Sequence, residues 1–164
     1  MTILEYLSIS FLFILELLWL PRTKIFYYFN FKWKNFSIMF YIGLFISLCY
    51  SIFILTGNRL YPIQYWPPVI ILSILNAVIE ELIYRLVFFH ILKKAISSIH
   101  FATFIQALFY SIPHFFIDPT FGFKALIYGT LLGYILTENN SIIPCIICHF
   151  VIDIGVIGVV MMVY

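Results

Sequence analysis

A few ionisable side chains within the apolar second half of the chain have the types that a hydrolytic site requires. They are Glu80, Glu81, Arg85, His114, His149 and Asp153. An ionisable group inside a membrane span is energetically costly unless it is paired or faces water, so each of them is a candidate for a functional site. Carboxylates and imidazoles are among the side chains that most often transfer protons to and from water in catalysis.

The spacing of Glu80, Glu81 and Arg85 predicts different tasks for the two adjacent carboxylates. Arg85 follows Glu81 by one helical turn and shares its face, whereas Glu80 is rotated from Glu81 by about 100°. We therefore expect Arg85 to neutralise Glu81. Glu80 is then the candidate general base that activates water.

The two histidines extend the predicted site onto further helices. His149 precedes Asp153 by one helical turn, so Asp153 can orient the imidazole or fix its tautomer. From the helical rise, Glu80 lies about 20 Å from Lys93, and His114 lies about 20 Å from Phe101, near the start of its own apolar run. These similar depths predict one shared cavity, which we expect to open toward the cytoplasm.

The amino-acid composition is that of an integral membrane protein. Of its 164 residues, 64% are hydrophobic and 10% are charged, which is too little charge to cover a soluble domain of this size. A nucleic-acid-binding protein and a disordered chain are excluded by the same balance.

For any single one of the ionisable residues named above, the alternative to a functional role is a structural one, in which a polar group only holds two helices together.

Apolar runs long enough to cross a membrane recur along the chain. Each can span the bilayer as a helix, because a helix satisfies its own backbone hydrogen bonds in lipid. The runs are residues 3–20, residues 36–56, the stretch from the predicted turn Trp66-Pro67-Pro68 to Leu92, and residues 99–117, 121–137 and 141–164. The predicted fold is an all-α, polytopic membrane helical bundle of about six transmembrane helices.

The basic residues predict the orientation of this bundle. The connections after the first and the third run hold Arg22, Lys24, Lys32, Lys34, Lys93 and Lys94, whereas the opposite side holds Arg59 and Lys124. The positive-inside rule places the first group in the cytoplasm and both termini outside. We expect an integral, multi-pass protein of a bacterial cell membrane, with the lipid bilayer as a partner.

Three motifs together make the sequence similar to a known family. They are Glu80-Glu81-x-x-x-Arg85, Tyr110-x-x-x-His114 and His149-x-x-x-Asp153. In this order they resemble the CPBP family of intramembrane proteases, which includes type II CAAX prenyl endopeptidases and proteins of bacteriocin processing and self-immunity. The resemblance predicts a CPBP-like protease domain at residues 68–164, after an N-terminal two-helix membrane region with a basic cytoplasmic loop at residues 1–67.

The resemblance also implies roles for the residues. Glu80 would activate the hydrolytic water together with His114, and His149 with the residue at position 153 would stabilise the oxyanion. Many members have Asn at that last position, so Asp153, an acceptor when ionised, fits better as a residue that orients His149. The implied catalytic set is Glu80, Glu81, Arg85, His114, His149 and Asp153.

The spacing of these residues does not decide whether the site uses Zn²⁺ or no metal. Glu80, His114 and His149 could hold Zn²⁺ with an open position for water. The same side chains could polarise water directly, with His149 donating to the oxyanion. The metal-free version is favoured, because no two of these ligands have the one-turn spacing of a His-Glu-x-x-His zinc helix.

The predicted function is that of an intramembrane endopeptidase of the glutamate or metallo type. It would use Glu-activated water to hydrolyse a peptide bond in a membrane-associated peptide or protein, in CAAX-type or bacteriocin- or signal-peptide-type processing. The alternative is a non-catalytic bacteriocin immunity or scaffold protein in the membrane. A further rival is an ion or proton pathway, which would string its polar groups across the bilayer instead of gathering them at one depth.

Overall fold

The computed structural model describes residues 36–57 and 66–163, which are almost entirely helical and contain no strand. This confirms the all-α prediction for the described part of the chain. The predicted first span, residues 3–20, lies outside it. The described elements, in chain order, are α1 (Ile38–Thr56), α2 (Trp66–Glu81), a π-helical segment (Leu82–Phe88), α3 (Phe89–Ala95), α4 (Ile99–Ile117), α5 (Pro119–Asn139) and α6 (Ile143–Val163).

The helices follow the predicted apolar runs closely, with one correction. Residues 66–95 form one unbroken helix through α2, the π-helical segment and α3. Trp66-Pro67-Pro68, predicted as a turn, is the first turn of α2, where proline removes no helical hydrogen bond. By length and composition, α1 and α5 are the described helices that could each cross a membrane.

Side-chain caps fix where three of the helices begin. The hydroxyls of Ser37 and Ser98 accept hydrogen bonds from the first turns of α1 and α4. Asp118, in the tight connection between α4 and α5, accepts from the backbone N–H of Phe121 at 3.0 Å. Hydrogen bonds from the Thr120 hydroxyl and that N–H hold the pKa of the Asp118 carboxyl below its usual range.

The described helices pack as two layers. In the first layer α6 lies against both α1 and α2, and in the second α4 and α5 form an antiparallel hairpin. Glycines bring the helix backbones close together. A Cβ atom on Gly133 would lie 2.6 Å from a methyl carbon of Thr103, and one on Gly155 would lie 2.8 Å from the Cα of Ser51.

The two layers meet at the end of the bundle that carries Ala95 and Asn139. The hydrophobic core lies there and includes Phe40 of α1, Phe89 of α3, Leu136 of α5 and Cys145 of α6. Toward the opposite end, where Asp118 joins α4 to α5, a cavity separates the layers. The core therefore holds one end of the bundle closed and the cavity occupies the other.

Candidate functional site

A cavity of about 930 Å³ lies between the layers, and its wall includes residues of α1, α2, the π-helical segment, α4, α5 and α6. Most of the wall is apolar. The predicted site residues Glu80, His114, His149 and Asp153 all contribute to it. Side chains from three separate stretches of sequence thus meet at one place, as their depths predict.

The cavity extends from the middle of the bundle toward the Asp118 end. Its most exposed apolar wall residues are Phe116, Ile117 and Ile127, at 87%, 75% and 73% exposure, and they mark its mouth. The cavity therefore extends away from Lys93, on whose side the sequence predicts a cytoplasmic opening, and the side of the membrane on which it opens stays a prediction. A depth of about 20 Å from the Lys93 end already lies beyond the middle of a hydrocarbon core about 30 Å thick.

Glu81 and Arg85 form the ion pair that their spacing predicts. Arg85 Nη1 lies 3.0 Å from Glu81 Oε1, and both side chains are fully buried. The guanidinium also lies 4.4 Å from the centre of the Tyr110 ring, within the range of a cation–π contact. Arg85 belongs to the π-helical segment, and such segments often occur at functional sites.

His149 is held by Glu81. Its Nδ1 donates to Glu81 Oε1 at 2.7 Å, the same oxygen that pairs with Arg85. Asp153 Oδ1 instead lies 3.6 Å from the other ring nitrogen, Nε2. The prediction that Asp153 orients His149 therefore needs correction, because the hydrogen bond that fixes the ring is made by Glu81.

The Nε2 atom of His149 faces three oxygens. Glu80 Oε2 and Asp153 Oδ1 each lie 3.6 Å away, and the Tyr110 hydroxyl lies 3.4 Å away. His149 is 1% exposed, so these contacts are shielded from bulk water. This nitrogen and the Glu80 carboxylate form the polar centre of the cavity.

His114 lies on the wall formed by α4. Its Nδ1 donates to the backbone carbonyl of Tyr110 at 3.0 Å, so in a neutral ring Nε2 is the acceptor. The ring packs between Tyr110 and Phe121, with centroids 4.9 and 5.0 Å away. The orientation of His114 is thus set without a second charged group.

Two contacts of the site were missed by reasoning from the sequence. Asn76 donates from Nδ2 to Asp153 Oδ2 at 3.0 Å, and it lies one turn before Glu80 on the same face of α2. A polar amide one turn from a candidate base was the available signal. The hydroxyl of Tyr110 is the second, and no spacing rule joins it to His149.

The predicted zinc shell of Glu80, His114 and His149 does not fit the geometry. Among the described residues, no group of three or more His, Cys, Asp or Glu side chains is placed to hold a metal ion. His149 Nε2 and Glu80 Oε2 lie 3.6 Å apart, a spacing that two ligands of one ion could have, but no third ligand is grouped with them among the described residues.

A carboxylate and two imidazoles in the cavity of a membrane helical bundle are side chains that can transfer protons to and from water. The comparison with known families identifies the class of protein. A family model described as Type II CAAX prenyl endopeptidase Rce1-like matches residues 62–155, more than half of the chain. The chain belongs to this family of membrane-embedded proteases, which confirms the resemblance seen in its motifs. No curated protein and no solved structure matches it.

Proposed function

We propose that the protein is an intramembrane endopeptidase that cleaves a membrane-associated peptide or protein with water activated by Glu80. The observation that carries the proposal is the meeting of Glu80, His114 and His149 on one cavity wall within the residues that match the family. A carboxylate and imidazoles in a mostly apolar cavity suit proton transfer to and from a single water molecule.

The first step places water between Glu80 and His114. Glu80 accepts a proton as the water oxygen attacks the carbonyl carbon of the scissile peptide bond, and the carbonyl electrons move onto its oxygen. His114, with Nδ1 committed to the Tyr110 carbonyl, can accept the second hydrogen of the water at Nε2 and so orient it. The product is a tetrahedral intermediate with an oxyanion.

The second step needs a hydrogen-bond donor for that oxyanion. His149 Nε2, 3.6 Å from Glu80, donates when the ring is protonated. As the intermediate collapses, the carbon–nitrogen bond breaks and Glu80 returns its proton to the leaving amine. Glu81 and Arg85 act indirectly, because Glu81 holds the ring of His149.

The cavity wall supports an apolar, membrane-associated polypeptide as the substrate. Aliphatic side chains such as Ile79, Ile83 and Ile152 surround the polar centre, and the mouth is lined by exposed apolar residues. An extended segment of several residues fits a space of this size. CAAX-type ends and bacteriocin- or signal-type peptides both belong to this class.

The clustering of the polar groups favours an enzyme over an ion or proton pathway. At the Ala95 end the layers are closed by the hydrophobic core, and the described polar site residues lie together at the cavity. A pathway would need polar groups across the whole bilayer. A non-catalytic immunity or scaffold role is distinguished from proteolysis by the following experiment.

The test is digestion of a library of membrane-associated peptides by the purified protein in liposomes, with new termini identified by mass spectrometry. We expect the wild type to produce defined cleavages and Glu80→Gln to produce none above background. Glu138→Gln, which changes a glutamate of α5 outside the cavity wall in the same way, is the matched control and should cleave like the wild type. Equal cleavage by Glu80→Gln and the wild type would contradict the proposal, and the absence of cleavage by the wild type would favour the scaffold role.

A further inference from the structure

The tautomer of His149 restricts what this ring can do. Glu81 Oε1 lies 3.0 Å from the Arg85 guanidinium, which keeps Glu81 an acceptor. Since His149 Nδ1 lies 2.7 Å from the same oxygen, Nδ1 must carry the hydrogen. A neutral His149 therefore presents a lone pair at Nε2 and has no hydrogen there to donate to an oxyanion.

The Tyr110 hydroxyl is the neighbour that can supply the hydrogen. Of the three oxygens around Nε2, those of Glu80 and Asp153 belong to carboxyl groups, which only accept when ionised. The phenol oxygen of Tyr110 lies 3.4 Å from Nε2 and carries a hydrogen. Tyr110 is 3% exposed and lines the cavity.

The ring of Tyr110 is held by contacts that do not involve its hydroxyl. Arg85 lies over one face, and the ring of Tyr84 meets it edge to face at 5.3 Å. On α5, a Cβ atom at Gly129 would come within 2.7 Å of Tyr110 Cδ1, so the missing side chain makes room for the ring. The hydroxyl is thus aimed at the polar centre by packing alone.

We propose that the Tyr110 hydroxyl is a catalytic hydrogen-bond donor to the oxyanion, a role that rests on the proposed hydrolytic function. In the resting site the hydroxyl lies against Nε2 of His149, to which it donates when the ring is neutral. When water attacks, the water proton passes to Glu80, and the hydroxyl turns to donate to the new oxyanion. Tyr110 keeps its proton throughout, and the proton on Glu80 leaves with the amine product.

Tyr110→Phe tests this inference, because phenylalanine keeps the ring and its contacts with Arg85 and Tyr84 while it removes the hydroxyl. With a peptide that the wild type cleaves, we expect kcat to fall about a hundredfold and KM to stay within about twofold, as when one oxyanion donor is lost. A phosphinate analogue of that peptide, which carries a tetrahedral anion, should bind more weakly by a similar factor.

The matched control is Tyr134→Phe, which removes a phenol hydroxyl bonded to His100 at 2.9 Å outside the cavity wall. It should leave kcat and analogue binding unchanged. A Tyr110→Phe protein with the wild-type kcat would overturn the inference, and so would one that fails to fold, because the hydroxyl would then be structural. Glu80→Gln, measured in parallel, separates the two claims: if it is inactive while Tyr110→Phe is fully active, the proposed function stands and only this inference fails.

Discussion

Glu81 links the charges of the site, because one of its oxygens contacts both Arg85 and His149. In Glu81→Gln the amide carries no charge, which leaves the buried guanidinium without its counter-ion. Breaking a buried pair in this way costs about 3–5 kcal/mol. We expect a marked fall in the melting temperature of the purified protein, measured in detergent. An unchanged melting temperature would show that the pair does not stabilise the fold.

Asn76 offers a second test among the residues, because its amide donates to the Asp153 carboxyl on the neighbouring helix α6. Asn76→Leu keeps a similar volume and removes the donor. A hydrogen bond to a charged group is worth about 1.5–3 kcal/mol, so we expect a loss of stability of that order in thermal unfolding. Stability equal to the wild type would mean that the contact is weak.

At the scale of residues, the sequence predicts hydrogen-bonded and ionic pairs within a helix, and it misses such pairs between helices. Glu81 and Arg85 pair as their one-turn spacing requires, because that rule depends only on helical geometry. The contact between Glu81 and His149 joins α2 to α6, and no spacing rule specifies it. The same limit explains why the sequence predicts that Asp153 orients the His149 ring, since Asp153 is the carboxylate nearest to His149 along the chain.

At the scale of elements, the packing of α6 on α1 depends on the lack of a side chain at Gly155. A methyl group there would lie 2.8 Å from the Cα of Ser51, so Gly155→Ala must push the helix backbones apart. Overpacking of this kind costs about 1–3 kcal/mol. We expect a lower melting temperature and a weaker hydrogen bond from the Ser51 hydroxyl to the carbonyl of Val151.

Gly158 provides the matched control on the same helix. A methyl group on Gly158 would lie 3.5 Å from a methyl carbon of Leu55, which is an ordinary van der Waals contact. Gly158→Ala should therefore leave stability unchanged or raise it by up to about 1 kcal/mol, since alanine favours the helix. Equal losses in the two variants would show that close approach at Gly155 is not the cause.

The limits of the helices follow from hydrophobicity, whereas their internal geometry does not. The predicted run of residues 99–117 coincides with α4, because long apolar stretches are the strongest signal in such a sequence. The π-helical segment Leu82–Phe88 is not predicted, since its apolar composition fits an α-helix as well. Pro67 and Pro68 indicate a turn when read alone, although proline is also tolerated in the first turn of a helix.

At the scale of the whole molecule, the position of the cavity makes its orientation in the membrane testable. The mouth lies at the Asp118 end, opposite Lys93 and Lys94. The positive-inside rule predicts that these lysines face the cytoplasm, which would place the mouth on the outer side. Substrate would then enter from that side of the membrane.

Labelling with a membrane-impermeant maleimide measures this orientation. Cys49 is exposed and is first replaced by serine, whereas Cys145 and Cys148 are buried. In intact cells we expect Thr120→Cys to be labelled and Ser97→Cys to be protected, with the reverse in inverted vesicles. Labelling of position 97 in intact cells would invert the predicted topology and place the mouth in the cytoplasm.

The arrangement of the helices in the bundle can be predicted only in part from the sequence. The alternation of long apolar runs indicates antiparallel neighbours, but it does not say which helices share a layer. The depths of Glu80 and His114 along their helices are sufficient to place them together. They do not by themselves give the side on which the cavity opens, because a distance from Lys93 has meaning only against the full thickness of the hydrocarbon core.

The role of Glu80 as the base is tested most directly by the single-turnover rate of peptide hydrolysis in liposomes by Glu80→Gln. The amide is nearly isosteric with the carboxyl and cannot accept the proton of water, so the rate constant should fall at least about a hundredfold. Folding should survive, because an uncharged amide costs less to bury than a carboxylate. A well-folded Glu80→Gln protein that hydrolyses the peptide at the rate of the wild type and of Glu138→Gln would contradict the central role of Glu80.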